Sequence, residues 1–510
     1  MIPYHQLLYH YITCLLAKNY IAIFYYLSTV LVFKFYLYEK TMQNIILVGV
    51  GGTGLSSLAY LFHDLWYTNI IGIDKNPSEI TKKLKDYGVS VIIWDGKNYQ
   101  VQKDDLIIYS DAAENTPEVK QAKAYVGKER KRISPPFSYF QFLWEISRYF
   151  QTISIAWTHG KSTTTALTWT VFSQWSKDFW LAICGAPVTG WENKNYILNT
   201  SYKKDIKAII DHIISPKWPQ VWDIMKKYFF IIEADEYNHH FLYLDTDYAI
   251  ITNIELDHAD VYENFENYLD TFQQFTSWVR KDIFVLPDAS GIQSLQDMQD
   301  RGNKIRAAKN MKFSFKTLLW AHNHDNASLA FAFMKYLSPE QSLQTIQESL
   351  KNFTGLRRRG EFLGNNKYGV PIITDYGHHP TELMSTYKAL CEKYPNKKIT
   401  CIFQPHQARR VIEFRESFTE TLQKFDTTII YDIYAARENL EELKKQFYDK
   451  NFLDSVNSFK ELGEQFAHVS WGNYVTNFQE IKNTLETINE GIIIIFTAGN
   501  LDREVRKWIK

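Results

Sequence analysis

A lysine and a serine that could bind nucleotide phosphates lie together in the run Gly160-Lys161-Ser162-Thr163. The run follows the apolar segment 152–156, which predicts a strand, and it opens a segment with helical periodicity. At such a junction backbone N–H groups can cradle phosphates, while Lys161 would reach the terminal phosphates and Ser162 would ligate Mg²⁺. Ile155 stands where a standard loop has its first glycine. Because a chance Gly-Lys-Ser seldom falls between a strand and a helix, the sequence predicts a phosphate loop here.

Acidic residues follow two further segments that predict strands. Glu233-Ala234-Asp235-Glu236 comes after 229–232, and Asn253-Ile254-Glu255-Leu256-Asp257-His258 comes after 248–252. Carboxylates and an imidazole at the carboxyl edge of a parallel sheet, facing a phosphate loop, suit Mg²⁺ coordination. A solvated acidic loop would explain either cluster singly, but it explains poorly why both strands end in this way.

A glycine turn near the start of the chain has the context of a nucleotide-binding loop. Gly49, Gly51, Gly52 and Gly54 follow the apolar run 45–48, and Asp74 ends the next predicted strand. Glycines at this spacing let the backbone approach a pyrophosphate, which the following helix N-terminus stabilises. The pattern fits NAD, FAD or a UDP-sugar equally well, and a purely structural glycine turn is the remaining alternative.

A third group of polar residues lies in the last third of the chain. Asp375-Tyr376-Gly377-His378-His379-Pro380-Thr381-Glu382 follows a predicted strand, and Gln404-Pro405-His406 with Arg410 follows another. The histidines have no cysteine or further histidine at metal-ligand spacing, so a loop facing the substrate is favoured over a metal site.

The spacing of apolar runs and turns predicts three α/β units in series, each with a largely parallel sheet. Residues 201–227 form a polar, lysine-rich stretch without a clear strand pattern, which predicts a surface insertion. The chain of 510 residues has zero formal net charge, which gives no sign of a nucleic-acid partner. Its four cysteines are scattered, which favours buried thiols over disulfides or zinc.

The first forty residues differ in character from the rest. Residues 19–33 are apolar and aromatic, but this run is shorter than the ~20 residues needed to span a bilayer. A membrane anchor or an uncleaved signal is one interpretation. The favoured alternative is that the mature protein begins at Met42, where a strand follows directly.

The ordered motifs together resemble those of the Mur ligase family. Its phosphate loop has the form G-T-H-G-K-[ST]-T-T, and this chain has Trp157-Thr158-His159-Gly160-Lys161-Ser162-Thr163-Thr164. The acidic clusters at Glu233 and His258, the run His322-Asn323 with Asn326, and the segment from Asp375 to Glu382 follow in the family's order. The resemblance covers the chain from about residue 44 to its end, apart from residues 201–227.

The resemblance implies a three-domain α/β enzyme. Its expected parts are an N-terminal Rossmann-like UDP-sugar domain at 42–148, a central P-loop ATPase-like parallel sheet at 149–353, and a C-terminal Rossmann-like amino-acid domain at 354–510. The reaction expected of such an enzyme is ATP-dependent, ADP-forming ligation of L-alanine to the lactyl carboxylate of UDP-N-acetylmuramate through an acyl phosphate. The expected cofactors are ATP and Mg²⁺, and the expected location is the cytoplasm.

The resemblance also assigns roles to matched residues. Glu233 and His258 would ligate Mg²⁺ beside Ser162, and Asn323 would contact adenine. Arg358, Arg359 and Arg410 would lie near phosphate or acyl-phosphate oxygens. A further set is expected to bind nucleotide, sugar or the incoming amino acid: Thr158, His159, Gly160, Lys161, Thr163, Asn326 and Asp375 for ATP; Gly49, Gly51, Gly52, Gly54 and Asp74 for the UDP-sugar; His378 and His379 for the amino acid.

Three other functions compete with this one. A recycling ligase would add a preformed peptide to the same sugar nucleotide, although Glu382 leans toward the alanine-adding enzyme. A catalytically impaired nucleotide-binding paralogue would keep the fold and lose turnover. A nicotinamide-dependent oxidoreductase would use the first glycine turn but leave the second loop unexplained.

Tryptophan stands where the family has glycine at several positions. These are Trp157 in the phosphate loop, Trp320 before His322, Trp66 and, less clearly, Trp94. An average chain of this length would hold about 36 glycines. This one has 22 glycines and 14 tryptophans, and the two counts together equal that number. We therefore hypothesise that many of these tryptophans are UGA codons decoded as glycine. A tryptophan-tolerant variant and an inactive paralogue are the alternatives.

Overall fold

The computed structural model describes residues 44–94, 99–128, 135–156, 158, 160–174, 179–214, 221, 224–256, 261–296, 304–313, 315, 321–435 and 438–509. The predictions for residues 1–41, Trp157, His159, His258 and Trp320 lie outside these residues. Across the described ranges, no helix combines the length and apolar character that crossing a bilayer requires.

Most of the strands are short, and many of them, such as Ile45–Val48, Tyr248–Ile251 and Ile492–Thr497, are rich in isoleucine and other apolar residues, as expected for strands buried on both faces. In chain order they are β1 Ile45–Val48, β2 Ile70–Asp74, β3 Ser90–Ile93, β4 Leu106–Tyr109, β5 Phe137–Ser138, β6 Gln151–Ala156, β7 Phe179–Val188, β8 Lys194–Leu198, β9 Phe229–Ala234, β10 Tyr248–Ile251, β11 Asp282–Val285, β12 Lys304–Ala307, β13 Glu361–Asn365, β14 Pro371–Asp375, β15 Ile399–Gln404, β16 Thr427–Tyr431, β17 Asn473–Val475 and β18 Ile492–Thr497.

Helices alternate with these strands along most of the chain. They are α1 Thr53–Asp64, α2 Glu79–Asp86, α3 Pro117–Lys128, α4 Tyr139–Ser147, α5 Lys161–Phe172, α6 Lys203–Ile214, α7 Phe265–Trp278, α8 Ile292–Gln296, α9 Ala321–Leu337, α10 Leu343–Lys351, α11 Pro380–Lys393, α12 Ala408–Glu413, α13 Arg415–Leu422, α14 Leu440–Gln446, α15 Phe459–Val469, α16 Phe478–Thr487 and α17 Leu501–Ile509.

The described chain divides into two compact units. One contains the described residues of Met1–Ile146 and Lys203–Trp222, and the other contains those of Ser147–Tyr202 and Asp223–Lys510. The first unit holds a parallel sheet of order β3-β2-β1-β4-β5. Because β1 lies between β2 and β4, the glycine loop that follows it is at the switch point where such sheets bind ligands.

The second unit contains two further sheets. The central one has the order β12-β11-β10-β6-β9-β7-β8 and is parallel except for its edge strand β8. The strand β6, which precedes the phosphate loop, lies between β9 and β10, which precede the two acidic clusters. Strand order alone therefore brings the three predicted motifs to neighbouring positions at one sheet edge.

The C-terminal sheet has the order β13-β14-β18-β15-β16-β17, and only the pair β13–β14 is antiparallel. The loops after β14 and β15, which carry the predicted substrate-facing residues, flank the buried strand β18. Three sheets of this kind confirm the predicted α/β class and three-domain architecture. The domain boundaries at residues 148 and 353 stay predictions.

The prediction of a polar surface insertion at residues 201–227 is wrong for α6. Five of its isoleucines, at positions 206, 209, 210, 213 and 214, are buried. In the first unit, the Tyr67 hydroxyl donates to Asp211 Oδ1 at 2.6 Å, and Lys207 Nζ lies 4.4 Å from the centre of the Tyr67 ring. Lys203, Lys204 and Lys207 lie off the buried face of this amphipathic helix, and the high lysine content of the segment hides its apolar face when only composition is considered.

Candidate active site

The phosphate loop has the backbone geometry that its glycine allows. Gly160 is the N-cap of α5 and has φ 82°, a left-handed conformation that glycine adopts without a Cβ clash. The Thr158 hydroxyl accepts a hydrogen bond from Glu255 N at 3.1 Å and donates to Glu255 O at 2.9 Å. The loop is thereby tied to the segment after β10, and the N-terminus of α5 behind it is suited to an anion.

Lys161 forms a buried ion pair at the start of α5. Its Nζ lies 2.5 Å from Oε2 of Glu236, whose side chain is fully buried. Burial lowers the pKa of Lys161, but the charges of Glu236, Asp235 and Glu233 raise it above its ordinary value. Lys161 is therefore a permanent cation at the predicted phosphate position.

The Ser162 hydroxyl and the Glu233 carboxylate, two predicted Mg²⁺ ligands, lie together beside this lysine. The Ser162 hydroxyl donates to Glu233 Oε2 at 2.8 Å, and Gly185 N donates to the same oxygen at 2.5 Å. A Cβ on Gly185 would lie 2.5 Å from Glu233 Oε1, so glycine is needed for this approach. A hydroxyl and a carboxylate at this separation fit the oxygen ligands that Mg²⁺ prefers. His258, the third predicted ligand, lies outside the described residues, among which no cluster of three metal-ligating side chains occurs.

Two buried asparagines lie on the first turns of α9. Asn326 Nδ2 donates to Asn323 Oδ1 at 3.2 Å, which leaves Asn323 Nδ2 and Asn326 Oδ1 buried without a hydrogen-bond partner within the described chain. An unsatisfied donor and an unsatisfied acceptor side by side match the two hydrogen-bonding groups on one edge of adenine. The predicted adenine contacts thus fit a purine base.

Asp375 ends β14 and organises the turn that follows. Its carboxylate accepts hydrogen bonds from Gly360 N at 2.7 Å and Gly377 N at 2.8 Å. Burial raises the pKa of Asp375 to about 6, while the charge of Arg359 acts in the opposite direction. The carboxylate is therefore a buried acceptor that joins two loops of the C-terminal sheet.

Glu382 holds Arg359 and the two histidines in one arrangement. Its Oε1 lies 3.4 Å from Arg359 Nη1, while its Oε2 accepts from His378 N at 2.9 Å and from His379 N at 3.3 Å. Burial lowers the pKa of Arg359, but the charges of Glu382, Asp375 and Tyr376, followed by Glu233, raise it. The contribution of Glu233 indicates that Arg359 lies within electrostatic reach of this carboxylate of the central sheet.

Arg358, His406 and Arg410 form a second basic group on the same side of the C-terminal sheet. Arg358 has φ 55°, and its guanidinium lies 4.7 Å from the centre of the Tyr376 ring. Arg410 Nη1 donates to Gln407 Oε1 at 2.7 Å. Burial and the charges of Arg410 and Arg358 lower the pKa of His406 to about 4, so this imidazole is neutral near pH 7. Both arginines lie within electrostatic reach of this imidazole.

In the first unit the glycine loop and Asp74 lie together as predicted. Gly51 N donates to Asp74 Oδ2 at 2.7 Å, and Gly49 has φ 93°. A Cβ on Gly51 would lie 2.7 Å from the same oxygen, and one on Gly54 would lie 3.0 Å from the Tyr139 ring. Gly52 is the N-cap of α1. Each glycine therefore serves a turn or a close contact at the N-terminus of a helix.

Two features of the site have no clear signal in the sequence. Glu236 belongs to an acidic cluster, but its spacing does not reveal that it pairs with Lys161. Tyr376 lies beneath both Arg358 and Arg359, with ring distances of 4.7 and 5.1 Å. The arginines precede β13 and Tyr376 follows β14, so they come together only because these two strands pair.

Comparison with known proteins agrees with this architecture. The model of the Mur ligase middle domain matches residues 155–347, and that of the Mur ligase glutamate ligase domain matches residues 358–470. The UDP-N-acetylmuramate–L-alanine ligase of Lactobacillus helveticus is 30% identical over 80% of this chain and 89% of its own length. The enzyme of the same name from Buchnera aphidicola is 29% identical over 93% of this chain and 96% of its own length.

Solved structures share the fold at lower identity. UDP-N-acetylmuramate–alanine ligase from Thermotoga maritima has a TM-score of 0.64 at 19% identity, covering 91% of this chain and 98% of that one. A murein peptide ligase from Psychrobacter arcticus has a TM-score of 0.58 at 19% identity, covering 92% and 98%. The sequence relatives and the family models agree, and the chain belongs to the Mur ligase family of ADP-forming carboxylate–amine ligases.

Proposed function

We propose that this ligase joins L-alanine to the lactyl carboxylate of UDP-N-acetylmuramate at the expense of ATP, a step in making peptidoglycan precursors. The names of the relatives at 29–30% identity support this choice of substrates. The observation that carries the proposal is the placement of Lys161, the Ser162–Glu233 pair and Arg359 within one unit. Such a grouping suits transfer of a phosphoryl group to a carboxylate.

The proposed reaction has two chemical steps. A lactyl carboxylate oxygen attacks the γ-phosphorus of ATP, the bond to the β–γ bridging oxygen breaks, and ADP leaves. The alanine amine then attacks the acyl carbon, and the resulting tetrahedral intermediate expels phosphate as the amine loses its proton to solvent or a nearby base. Both steps place negative charge on oxygens, which fixed cations stabilise.

Each cation of the site has a proposed part in these steps. Lys161 would stabilise the terminal phosphates of ATP, and Arg359 would contact the acyl phosphate with its planar, bidentate donors. Arg358 and Arg410 would bind the remaining phosphate or substrate oxygens. His378 and His379, whose backbone amides are fixed by Glu382, would line the position of the incoming amine.

Ser162 and Glu233 are the described residues that would hold Mg²⁺, with His258 as the third predicted ligand. When bound, the ion would neutralise charge on the phosphate oxygens. Asn323 and Asn326 would bind the adenine through their unsatisfied amide atoms. The remaining nucleotide contacts would come from Thr158, His159, Gly160, Thr163 and Asp375.

The first unit would bind the UDP-sugar. Its pyrophosphate would meet the backbone at Gly49, Gly51, Gly52 and Gly54, where the N-terminus of α1 offers N–H donors. Asp74, which accepts from Gly51 N, would keep this loop in shape. Because ATP and a UDP-sugar are both cytoplasmic metabolites, we place the reaction in the cytoplasm.

The test is phosphate release by the purified protein with UDP-N-acetylmuramate, ATP and Mg²⁺. We expect release to depend on L-alanine, to be slower with glycine or serine, and to stop in Lys161→Ala. Release that depends instead on a preformed peptide would assign the chain to the peptide-adding recycling ligases. The assay is run with Trp157 and with Trp157→Gly, and if neither form releases phosphate with any amine substrate, the proposal is wrong.

A further inference from the structure

Glu236 has no role in the proposed mechanism, yet its carboxylate pairs with the Lys161 ammonium. The carboxylate is fully buried, and its Oε2 lies 2.5 Å from Nζ. The main chain at Glu236 is fixed as well, because the Tyr262 hydroxyl donates to its carbonyl oxygen at 2.5 Å. A buried glutamate is costly unless it is paired, and Lys161 is a cation with which Glu236 is paired.

We propose that Glu236 is a positioning residue that orients the Lys161 ammonium toward the terminal phosphates of the nucleotide, an inference that rests on the proposed function. The ammonium has three N–H donors, and Glu236 accepts one of them. With one donor fixed by a rigid partner, the direction of the other two is set before the nucleotide arrives. The carboxylate is also the buried counter-ion of the lysine.

These two effects act on different quantities. Glu236→Gln keeps the shape of the side chain but removes the charge, so bound phosphate becomes the main counter-ion of Lys161. Nucleotide affinity should therefore hold or increase several-fold. The lysine loses its fixed orientation, and kcat should fall about a hundredfold, the loss expected when a catalytic group is misplaced by about an ångström.

The experiment measures ADP binding by calorimetry and kcat by phosphate release for the wild type, Glu236→Gln and Glu236→Asp. Glu266→Gln, an exposed change of the same type on α7, is the control and should alter neither quantity. Tight or unchanged ADP binding with reduced kcat supports positioning. Parallel loss of both, or no loss of kcat, overturns it. If the wild type binds ADP but never turns over, the proposed function fails instead.

A second, independent inference concerns the way three helices end. At the end of α2, Gly88 N donates to Lys85 O at 3.0 Å and Val89 N donates to Leu84 O at 3.0 Å. This pair of bonds defines the Schellman motif, in which the residue after the C-cap adopts a left-handed conformation. That residue is Gly88, with φ 102°, the type that usually occupies the position.

The helix α1 ends with the same motif, but it has tryptophan in place of glycine. Trp66 N donates to His63 O at 3.0 Å, and Tyr67 N donates to Phe62 O at 3.1 Å. Trp66 has φ 63°, and 56% of its surface is exposed. The only ring contact recorded for it among the described residues is Lys203 Nζ, 5.7 Å from the ring centre, which is weak at an exposed site.

The helix α15 repeats the pattern. Trp471 N donates to His468 O at 3.3 Å, and Gly472 N donates to Ala467 O at 2.8 Å. Trp471 has φ 56° and is 76% exposed. A left-handed backbone is unfavourable for a bulky side chain, and exposure removes the apolar burial that could offset the cost. Both positions therefore suit glycine and gain little from an indole.

Other tryptophans have the opposite surroundings. Trp169 and Trp191 are each 6% exposed in the core of the central sheet, and their rings meet edge to face at 6.3 Å. The Trp508 indole N–H donates to Glu486 Oε1 at 3.2 Å. These side chains are used for packing or hydrogen bonding. The described tryptophans thus include exposed sites with a left-handed backbone, which fit glycine, and sites where the indole packs or donates a hydrogen bond, which do not.

We infer that Trp66 and Trp471 are encoded by UGA and decoded as glycine in the organism that makes this protein, whereas Trp169, Trp191 and Trp508 are genuine tryptophans. Trp66 is already a candidate from the sequence. Trp471 is not, and it is identified by its backbone conformation alone. Trp94 has no positive φ and gains no support of this kind.

The gene sequence and the protein mass test this inference together. We expect UGA codons at positions 66 and 471, UGG codons at 169, 191 and 508, and peptide masses with glycine at the first two positions. UGG at either Trp66 or Trp471 would overturn it, as would UGA at Trp169. In recombinant protein, Trp66→Gly and Trp471→Gly should raise the thermal midpoint, while Trp169→Gly should lower it; the reverse order would contradict the structural argument.

Discussion

The central and C-terminal sheets both place carboxylates at the ends of buried strands, but they use them differently. At the end of β9, Glu233 accepts from a hydroxyl and Glu236 pairs with Lys161, so acidic groups outnumber the cation. After β14, Asp375 and Glu382 hold backbone amides and Arg359 in place. The first edge is thus the proposed place of a metal ion with phosphates, whereas the carboxylates of the second hold an arginine in position.

Because of this difference, we expect the edges of the central and C-terminal sheets to respond differently to mutation. On the proposed function, loss of a group at the central edge removes a direct contact to the nucleotide. Loss of a carboxylate at the C-terminal edge acts through the loops that it holds. Variants at Lys161, Arg359, Asn323 and Asp375 test that division.

Lys161→Ala should have the largest effect. It removes the cation at the phosphate position and leaves Glu236 buried without its partner. We expect phosphate release to fall roughly a thousandfold, at the upper end of losses seen for a charge-stabilising donor. Steady-state phosphate release measures this loss, with circular dichroism as a control for folding. A folded variant with more than a tenth of wild-type activity would contradict the assigned role.

Arg359→Lys should reduce kcat about a hundredfold although it keeps the charge. The guanidinium presents several donors in a fixed plane, whereas an ammonium is a point charge that cannot reproduce bidentate contacts. The measurement is kcat with saturating ATP and sugar nucleotide. Near-normal turnover in this variant would mean that Arg359 supplies only charge, and the contrast between the two edges would weaken.

Asn323→Ala should raise the KM for ATP about tenfold and leave kcat nearly unchanged. The loss corresponds to about 1.4 kcal/mol, the value of one hydrogen bond to a base edge. Comparing ATP with GTP sharpens the test, because the unsatisfied donor and acceptor of the two asparagines suit adenine. Equal discrimination between ATP and GTP in the variant and the wild type would remove the adenine assignment.

Asp375→Asn should change how the free energy of unfolding depends on pH more than it changes the magnitude of that free energy. The folded carboxyl has a pKa of about 6 against 3.8 in the unfolded chain, so the native state binds the proton more tightly. The wild type therefore loses stability as pH rises from about 4 to about 6, by up to about 3 kcal/mol. The asparagine side chain of the variant does not titrate. The stability of the variant should therefore rise relative to that of the wild type over this pH interval. Urea unfolding at several pH values checks this, with the exposed Asp288→Asn as control.

The sequence was sufficient to predict the motifs, their strand ends and the α/β class. Gly160, Lys161 and Ser162 are contiguous, so their relation needs no tertiary information. The pairing of Lys161 with Glu236 depends on β9 lying next to β6, and the spacing of 75 residues carries no sign of it. The packing of Arg359 against Tyr376 likewise depends on the antiparallel pairing of β13 with β14.

The lysine-rich composition of residues 201–227 led to a wrong prediction for α6, and the reason is physical. The stretch 201–227 is rich in lysine, and average polarity concealed the regular spacing of the isoleucines on α6. Periodicity at 3.6 residues would have predicted a buried face, but not the unit against which that face packs. Long-range partners of an amphipathic helix are decided by topology.

The membership of α6 in the first unit has a consequence for how the protein is made. The helix follows β6, β7 and β8 of the central sheet in the chain, yet it packs with residues that precede them. During synthesis the first unit therefore cannot reach its final packing until residue 214 has left the ribosome. Before that point, β6, β7 and β8 of the central sheet have been synthesised while the first unit still lacks α6. The two units must therefore complete folding in an interleaved order rather than one after the other.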